Sequence, residues 1–166
     1  DSLSHILADV RARFGHVHGV LHAAGLEESK KLADKDEGAF DRAWKPKAEA
    51  AFQLAKLTEK DSLRFFLMFG SVAGRYGNAS QADYSAANDA ISKLARTLRH
   101  KGVPAAVFAW GPWGETGMAT RGSTLTVLKA AGAEPISTSE GGAPFLSEMP
   151  RLREPEAVLA TAWGTR

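Results

Sequence analysis

The sequence predicts an α/β fold with a parallel, doubly wound sheet. Apolar runs of strand length alternate with segments of helical periodicity along the chain. The strongest run, residues 64–69, is continuously apolar after Arg64, as strands buried on both faces are. The intervening helical segments are long enough for the right-handed crossovers that join parallel strands. The length of 166 residues corresponds to about one domain.

The first half of the chain supplies two strands and two helical segments. Residues 2–14 carry apolar side chains at helical spacing and end at Gly15, and residues 17–22 form a short buried strand. A long helical pattern over residues 37–57 contains Pro46, which costs about 3 kcal/mol inside a regular helix. We therefore expect a kink or a local break at that proline.

The second half continues the alternation. The spacing predicts a long helix over residues 82–100, a strand over 103–110 and a glycine-rich loop over 111–122. Two shorter helices are predicted at 124–131 and 139–149, the second weakened by two glycines and a proline. Glu156 to Trp163 completes the pattern as a last strand.

Composition excludes several classes of function. A formal charge of +2 is too small to indicate a nucleic-acid-binding protein, and the absence of cysteine rules out disulfides and thiolate zinc sites. His18 and His22 lie on a predicted strand, roughly 13 Å apart, too far to share a metal ion. His22 is expected to be a satisfied buried histidine. No apolar run approaches a membrane span, so a cytoplasmic location is expected by default.

One expected feature of a dinucleotide-binding fold is missing. Such a fold opens with a strand and a G-x-G-x-x-G turn, and neither stands in this sequence. The chain begins in a helical segment instead. We therefore interpret residues 1–166 as a single partial domain, the carboxyl-terminal half of a doubly wound fold without its first strands and glycine-rich turn.

Three side chains suit proton delivery to a carbonyl group. Ser71 follows the strongest strand, where open α/β sheets bind ligands. Tyr84 and Asn88 stand four residues apart, on one face of a predicted helix. Each residue alone has a structural alternative, because a serine after a strand is commonly a turn former and a helical tyrosine commonly packs.

Together with their flanking motifs, these residues resemble the short-chain dehydrogenase/reductase superfamily. The closer similarity is to the ketoreductase domains of modular type I polyketide and polyunsaturated fatty-acid synthases. Free-standing reductases carry Tyr-x-x-x-Lys, whereas Asn88 stands here and Lys47 occupies the place of the synthase lysine. The motifs that carry the resemblance are His22-Ala23-Ala24-Gly25, Lys47 after Pro46, Ser71, Tyr84, Asn88 and Ala109-Trp110-Gly111-Pro112-Trp113-Gly114.

The resemblance implies a Rossmann-like fold and the NADPH-dependent reduction of a β-ketoacyl thioester on an acyl carrier protein. Neighbouring synthase domains would be further partners, with no nucleic acid, membrane or metal involved. The ammonium of Lys47 would lower the pKa of the Tyr84 phenol, and the loop over 111–122 would act as a lid. The implied catalytic residues are Lys47, Ser71, Tyr84 and Asn88, and the implied cofactor-binding residues are Ala23, Ala24, Gly25, Lys47, Tyr84, Gly111, Pro112 and Trp113.

Two alternatives and one ambiguity stay open. The chain could belong to a stand-alone reductase of free or CoA-bound ketones, or be a non-catalytic structural segment of a synthase. Leu26-Glu27-Glu28 replaces the Leu-Asp-Asp marker of one product configuration, and Tyr76 stands where tryptophan marks the other. Product configuration is therefore open. Because half of the cofactor site is missing from this sequence, we expect the isolated 166-residue chain to be inactive.

Overall fold

A computed structural model describes residues 2–122, 124–130, 132–150 and 153–161. Helices and parallel strands alternate through most of this range. The strands are β1 (Gly19–His22), β2 (Phe65–Ser71), β3 (Ala105–Trp110) and β4 (Glu156–Leu159), and the α-helices are α1 (Ser2–Phe14), α2 (Glu37–Trp44), α3 (Ala50–Leu57), α4 (Ala73–Tyr76), α5 (Ala82–His100), α6 (Thr124–Ala130) and α7 (Thr138–Glu148).

The four strands form one parallel sheet in the order β1-β2-β3-β4. Leu21 aligns with Leu67, and Ser71 aligns with Trp110, so β2 and β3 end at the same level. This sheet confirms the predicted α/β class and the parallel strand direction. Because parallel strands present their carboxyl ends at one edge, residues that follow β1, β2 and β3 are brought close together.

Apolar layers cover both faces of the sheet. On one face α1, α3 and α5 pack against Phe66, Met68 and Val107. On the other, Phe145 of α7 packs against Phe108, with ring centroids 4.8 Å apart. Strands β2 and β3 are therefore covered on both sides, which explains their continuously apolar sequences.

The predicted break at Pro46 is present. Helix α2 ends at Trp44, a π-helical turn spans Lys45–Glu49, and α3 continues from Ala50. Pro46 has no N–H to donate, so the regular i→i−4 ladder cannot run through this point. The wider turn is the kind of local irregularity that recurs at functional sites.

Several boundaries differ from the sequence prediction. β1 begins at Gly19 and β3 at Ala105, two residues later than predicted, although Arg64 and His18 still form one backbone hydrogen bond of 2.7 Å. The short helix α4 is absent from the sequence prediction. β4 ends at Leu159, and the predicted strand residues 162–163 lie outside the described residues. Within the part of the chain that the structure describes, no helix is long and apolar enough to cross a membrane.

Candidate active site

The candidate site lies at the carboxyl end of β2. Ser71 is the last residue of that strand, and Tyr84 and Asn88 occupy successive turns near the start of α5. Both helical side chains are buried, with 8% and 1% of their surface exposed. The structure thus brings Ser71, Tyr84 and Asn88 together. The four-residue spacing of Tyr84 and Asn88 places these two on one face of α5.

The side chain of Lys47 enters the same place from the π-helical turn. Only 3% of Lys47 is exposed, and its Nζ donates a 2.8 Å hydrogen bond to the carbonyl oxygen of Phe69 in β2. The ammonium lies 6.0 Å from the centroid of the Tyr84 ring. Burial lowers the pKa of Lys47 to about 8, because the charged form loses hydration.

The pKa of the Tyr84 phenol departs from the sequence expectation. Burial raises this pKa, the Ser71 and Asn88 side chains lower it, and the charge of Glu27 raises it. The expectation that the Lys47 ammonium lowers this pKa is therefore wrong for this structure, in which the pKa is raised. The physical reason is that desolvation of the phenolate outweighs its partners. A raised pKa keeps Tyr84 protonated around neutral pH, the state that a proton donor needs.

Ser71 has a hydroxyl proton to offer. Its Oγ accepts a hydrogen bond of 3.2 Å from the backbone N–H of Ala73, at the start of α4. This contact uses a lone pair of the hydroxyl and leaves the O–H able to donate. The short helix α4 therefore orients Ser71 at the end of β2.

Asn88 carries an unsatisfied acceptor. Its Nδ2 donates to the carbonyl oxygen of Tyr84 at 2.8 Å, which fixes the amide. Its Oδ1 is buried and has no hydrogen-bond partner among the described residues. A Cβ on Gly70 would approach this oxygen to 3.7 Å, so the Oδ1 lies beside the last residues of strand β2. Buried acceptors are rarely left unpaired, so this oxygen is free to accept from a ligand or a water.

Of the three residues after β1, Gly25 lies against Lys47. Ala23 and Ala24 are exposed at the carboxyl end of the sheet. A Cβ on Gly25 would stand 2.7 Å from Cε and 3.0 Å from Nζ of Lys47. Glycine is therefore required at residue 25 for the lysine to keep this position.

The second predicted cofactor-binding segment follows β3. Gly111 is next to Trp110, the register partner of Ser71, so the segment starts at the same edge of the sheet. The amide of Ile136 donates to the carbonyl oxygen of Pro112 at 2.7 Å. The indole of Trp113 packs on Trp110 and against Gly141 of α7. Trp113 thus packs against α7 and the apolar layer that contains Phe108, whereas the sequence predicts it to contact a cofactor.

Sequence reasoning missed two buried charges at the site. Asp83, directly before Tyr84, is 2% exposed and pairs with Lys35. The available signal was a carboxylate in the first turn of a predicted helix, a position that the helix dipole favours. Lys35 gave no signal, because its pairing with Asp83 spans 48 residues.

Comparison with known proteins agrees with this geometry. A family model described as the KR domain matches residues 1–115. A phenolphthiocerol/phthiocerol polyketide synthase of Mycobacterium tuberculosis is 32% identical over 158 residues, covering 93% of this chain and 9% of that protein. The spectinabilin polyketide synthase system protein NorB of Streptomyces orinoci is 35% identical over 147 residues, covering 87% of this chain and 7% of that protein.

Solved structures show the same fold. An A-type ketoreductase from a modular polyketide synthase superposes with a TM-score of 0.87 at 30% identity, over 96% of this chain and 33% of that chain. PlmKR1, a ketoreductase from the first module of phoslactomycin biosynthesis in Streptomyces sp. HK803, gives 0.85 at 30% identity, over 96% and 37%. The chain thus spans less than a tenth of the length of these curated relatives and about a third of the length of these solved structures. By family model, sequence and fold, the chain belongs to the KR family, the ketoreductase domains of modular polyketide synthases, which are oxidoreductases.

Proposed function

We propose that this chain supplies the catalytic residues for NADPH-dependent reduction of a β-ketoacyl thioester to a β-hydroxyacyl thioester. The observation that carries the proposal is the meeting of Ser71 with the buried Lys47, Tyr84 and Asn88 at the carboxyl end of β2. Among the described residues Lys47 forms no ion pair. A purely structural segment has no use for such a cation beside a phenol, since burying a charge without a counterion is unfavourable.

The residues have distinct roles in the proposed reaction. The bound nicotinamide would supply hydride to the carbonyl carbon. Ser71 donates its O–H to the substrate oxygen and stabilises the negative charge that develops there. Tyr84 transfers its phenolic proton to the same oxygen, as a general acid. The raised pKa of the phenol keeps that proton in place until the oxygen becomes basic.

Lys47 and Asn88 act on the proton donor. Lys47 gives one N–H to Phe69, so two further N–H groups remain for a phenolate, a water or a ribose hydroxyl. The Oδ1 of Asn88 can accept from that ammonium or from a bridging water. Both residues would thereby stabilise the phenolate that forms after proton transfer.

The residues present fit the nicotinamide end of a dinucleotide. The unpaired Oδ1 of Asn88 and the spare donors of Lys47 are polar groups that a ribose can satisfy. Tyr84, the exposed segment Ala23-Ala24-Gly25 and the segment Gly111-Pro112-Trp113 would complete the contact. The choice of NADPH and of an acyl-carrier-protein substrate rests on family membership, and neighbouring synthase domains would deliver that substrate.

We further propose that residues 1–166 are one partial ketoreductase domain in which the segment 111–122 acts as a lid. Two glycines of this segment, Gly117 and Gly122, have positive φ angles of 83° and 58°. Such positions suit a loop that changes shape over a ligand.

The test uses the parent polypeptide. This term means a longer chain that contains residues 1–166 and has the length of a solved ketoreductase. NADPH consumption is measured with a β-ketoacyl group on an acyl carrier protein, with the same group on CoA, and with a free ketone. We expect the highest kcat/KM with the carrier protein. Preference for the free ketone would favour a stand-alone reductase, and no consumption with any substrate would favour a structural segment.

A further inference from the structure

A buried ion pair lies one residue from Tyr84. Nζ of Lys35 is 2.8 Å from Oδ2 of Asp83, and the two side chains are 6% and 2% exposed. Lys35 follows a short 3-10 turn before α2, whereas Asp83 is the second residue of α5. The pair therefore joins two parts of the chain that are distant in sequence.

Each partner makes a further hydrogen bond that extends the connection. The other oxygen of Asp83 accepts from the backbone N–H of Tyr84 at 2.9 Å. Nζ of Lys35 also donates to the carbonyl oxygen of Glu28 at 2.7 Å. The loop after β1, which carries the segment 23–25, is thus connected through Lys35 and Asp83 to the backbone of Tyr84.

Stability alone is a weak reason for such a pair. Burying two charges costs several kcal/mol per ion in general, and the Coulomb attraction often only offsets that cost. By contrast, the Lys93–Asp89 pair of α5 lies on the surface, since its side chains are 69% and 48% exposed. A largely buried and directional pair next to the proton donor in sequence is better suited to fixing position.

We propose that Lys35 is a positioning residue, which holds the first turn of α5 and hence Tyr84 at a set distance from the loop after β1. The proposal rests on the proposed function, because it assigns Lys35 to the proton-donating step. Proton transfer depends steeply on distance, so a small displacement of Tyr84 would lower the rate strongly.

The charges around the phenol give the proposal a signature of its own. Tyr84 is faced by Lys47 from the π-helical turn, Glu27 from the loop after β1, Ser71 from β2, and Asn88 of its own helix. Asp83 is adjacent in sequence. Removing Lys35 would leave an uncompensated Asp83 carboxylate at the backbone N–H of Tyr84, and an added negative charge near the site raises a phenol's pKa.

The experiment compares three variants of the parent polypeptide with a matched control. Lys35→Met should lower kcat about ten- to a hundredfold and move the alkaline limb of the pH–rate profile to higher pH. Lys35→Met combined with Asp83→Asn should return the alkaline limb to its wild-type position, because the uncompensated charge is gone. Lys35→Arg should keep the limb in place even where its larger head lowers kcat. Lys93→Met, in the same helix as Asp83, should change kcat by no more than about twofold and leave the alkaline limb in place.

The outcomes separate the two proposals. A Lys35→Met variant with a lowered Tm but unchanged kcat and pH profile would show that the pair only stabilises the fold, which overturns the positioning role. If Lys35→Met fails to fold, the pH profiles of Lys35→Arg and of the double variant decide in the same way. An unmodified parent polypeptide without reductase activity would overturn the proposed function, and the role of Lys35 in that reaction with it.

Discussion

Nε2 of His22 donates a hydrogen bond to the carbonyl oxygen of Lys47, with 2.8 Å between the two atoms. A carbonyl can only accept, so the neutral ring carries its proton on Nε2. Burial lowers the pKa of His22 below its ordinary value, which keeps the ring neutral around pH 7. The last residue of β1 thereby holds the π-helical turn that presents Lys47. This contact confirms the expectation of a satisfied buried histidine.

Replacement of the phenol tests the assigned proton donor. Tyr84→Phe keeps the buried ring and removes the hydroxyl, so kcat should fall by about 10²–10⁴-fold with little change in thermal stability. The measurement is steady-state NADPH oxidation by the parent polypeptide. Tyr76→Phe is the matched control, since Tyr76 is 71% exposed and its loss should leave kcat unchanged. Near-native turnover by Tyr84→Phe would refute the assignment.

Lys47 should reduce stability at neutral pH while supporting catalysis. Its pKa is about 8 in the fold against an ordinary value of 10.5, so between these pH values the unfolded chain holds a proton that the folded chain lacks. The free energy of unfolding should therefore rise as pH increases from 8 to 10.5, by up to about 3 kcal/mol. Lys47→Met should abolish this rise, stabilise the protein at pH 7 and lower kcat.

Chemical denaturation at about pH 7 and pH 10 measures the effect of Lys47. Lys45→Met is the control, because that side chain is 60% exposed in its ion pair with Asp41. It should leave both stability and kcat close to the wild-type values. If Lys47→Met is less stable than wild type at neutral pH, the favourable contacts of Lys47 outweigh the cost of its desolvation.

Gly25 should be required for the position of Lys47. The added methyl of Gly25→Ala would meet Cε of Lys47 at 2.7 Å, and the buried lysine has little space to move. We expect kcat to fall by about tenfold or more, because the ammonium is displaced from Tyr84. Gly142→Ala provides the comparison, since its Cβ would meet no atom of the described residues within 4 Å. Equal kcat values for the two variants, measured by NADPH oxidation, would argue against this role.

The lid should consist of an anchored and a free part. Gly114 donates to the carbonyl oxygen of Ile136 at 2.8 Å, and Glu115 accepts from the amide of Thr138 at 3.0 Å. Gly111 likewise donates its amide to the carbonyl oxygen of Leu159, so amide exchange at Gly111 and Gly114 should be slow with or without NADPH. Residues 116–122 should gain protection when NADPH binds to the parent polypeptide. Unchanged exchange in residues 116–122 would contradict the lid.

The 166-residue chain by itself should associate and bind NADPH poorly. Within the described residues β1 pairs only with β2, and its Leu21 is 52% exposed. An unpaired strand edge with exposed apolar side chains favours association. Sedimentation and calorimetric titration with NADPH measure both properties, with the parent polypeptide as reference. A monomer that binds NADPH with micromolar affinity would contradict this prediction.

The order and class of the elements were predictable because they depend on local pattern. The apolar run before Ser71, the four-residue spacing from Tyr84 to Asn88 and the break at Pro46 are all visible within a few residues. The short helix α4 was not, because its four residues are too few for a periodic signal.

The sequence by itself determined the parallel α/β fold and, through a resemblance, the identity of the candidate site residues. Only the tertiary structure decided their electrostatics. Burial, which depends on every packed element, raises the pKa of Tyr84 and lowers that of Lys47. The pairing of Lys35 with Asp83 likewise arises only on folding, because it joins residues that no local pattern relates.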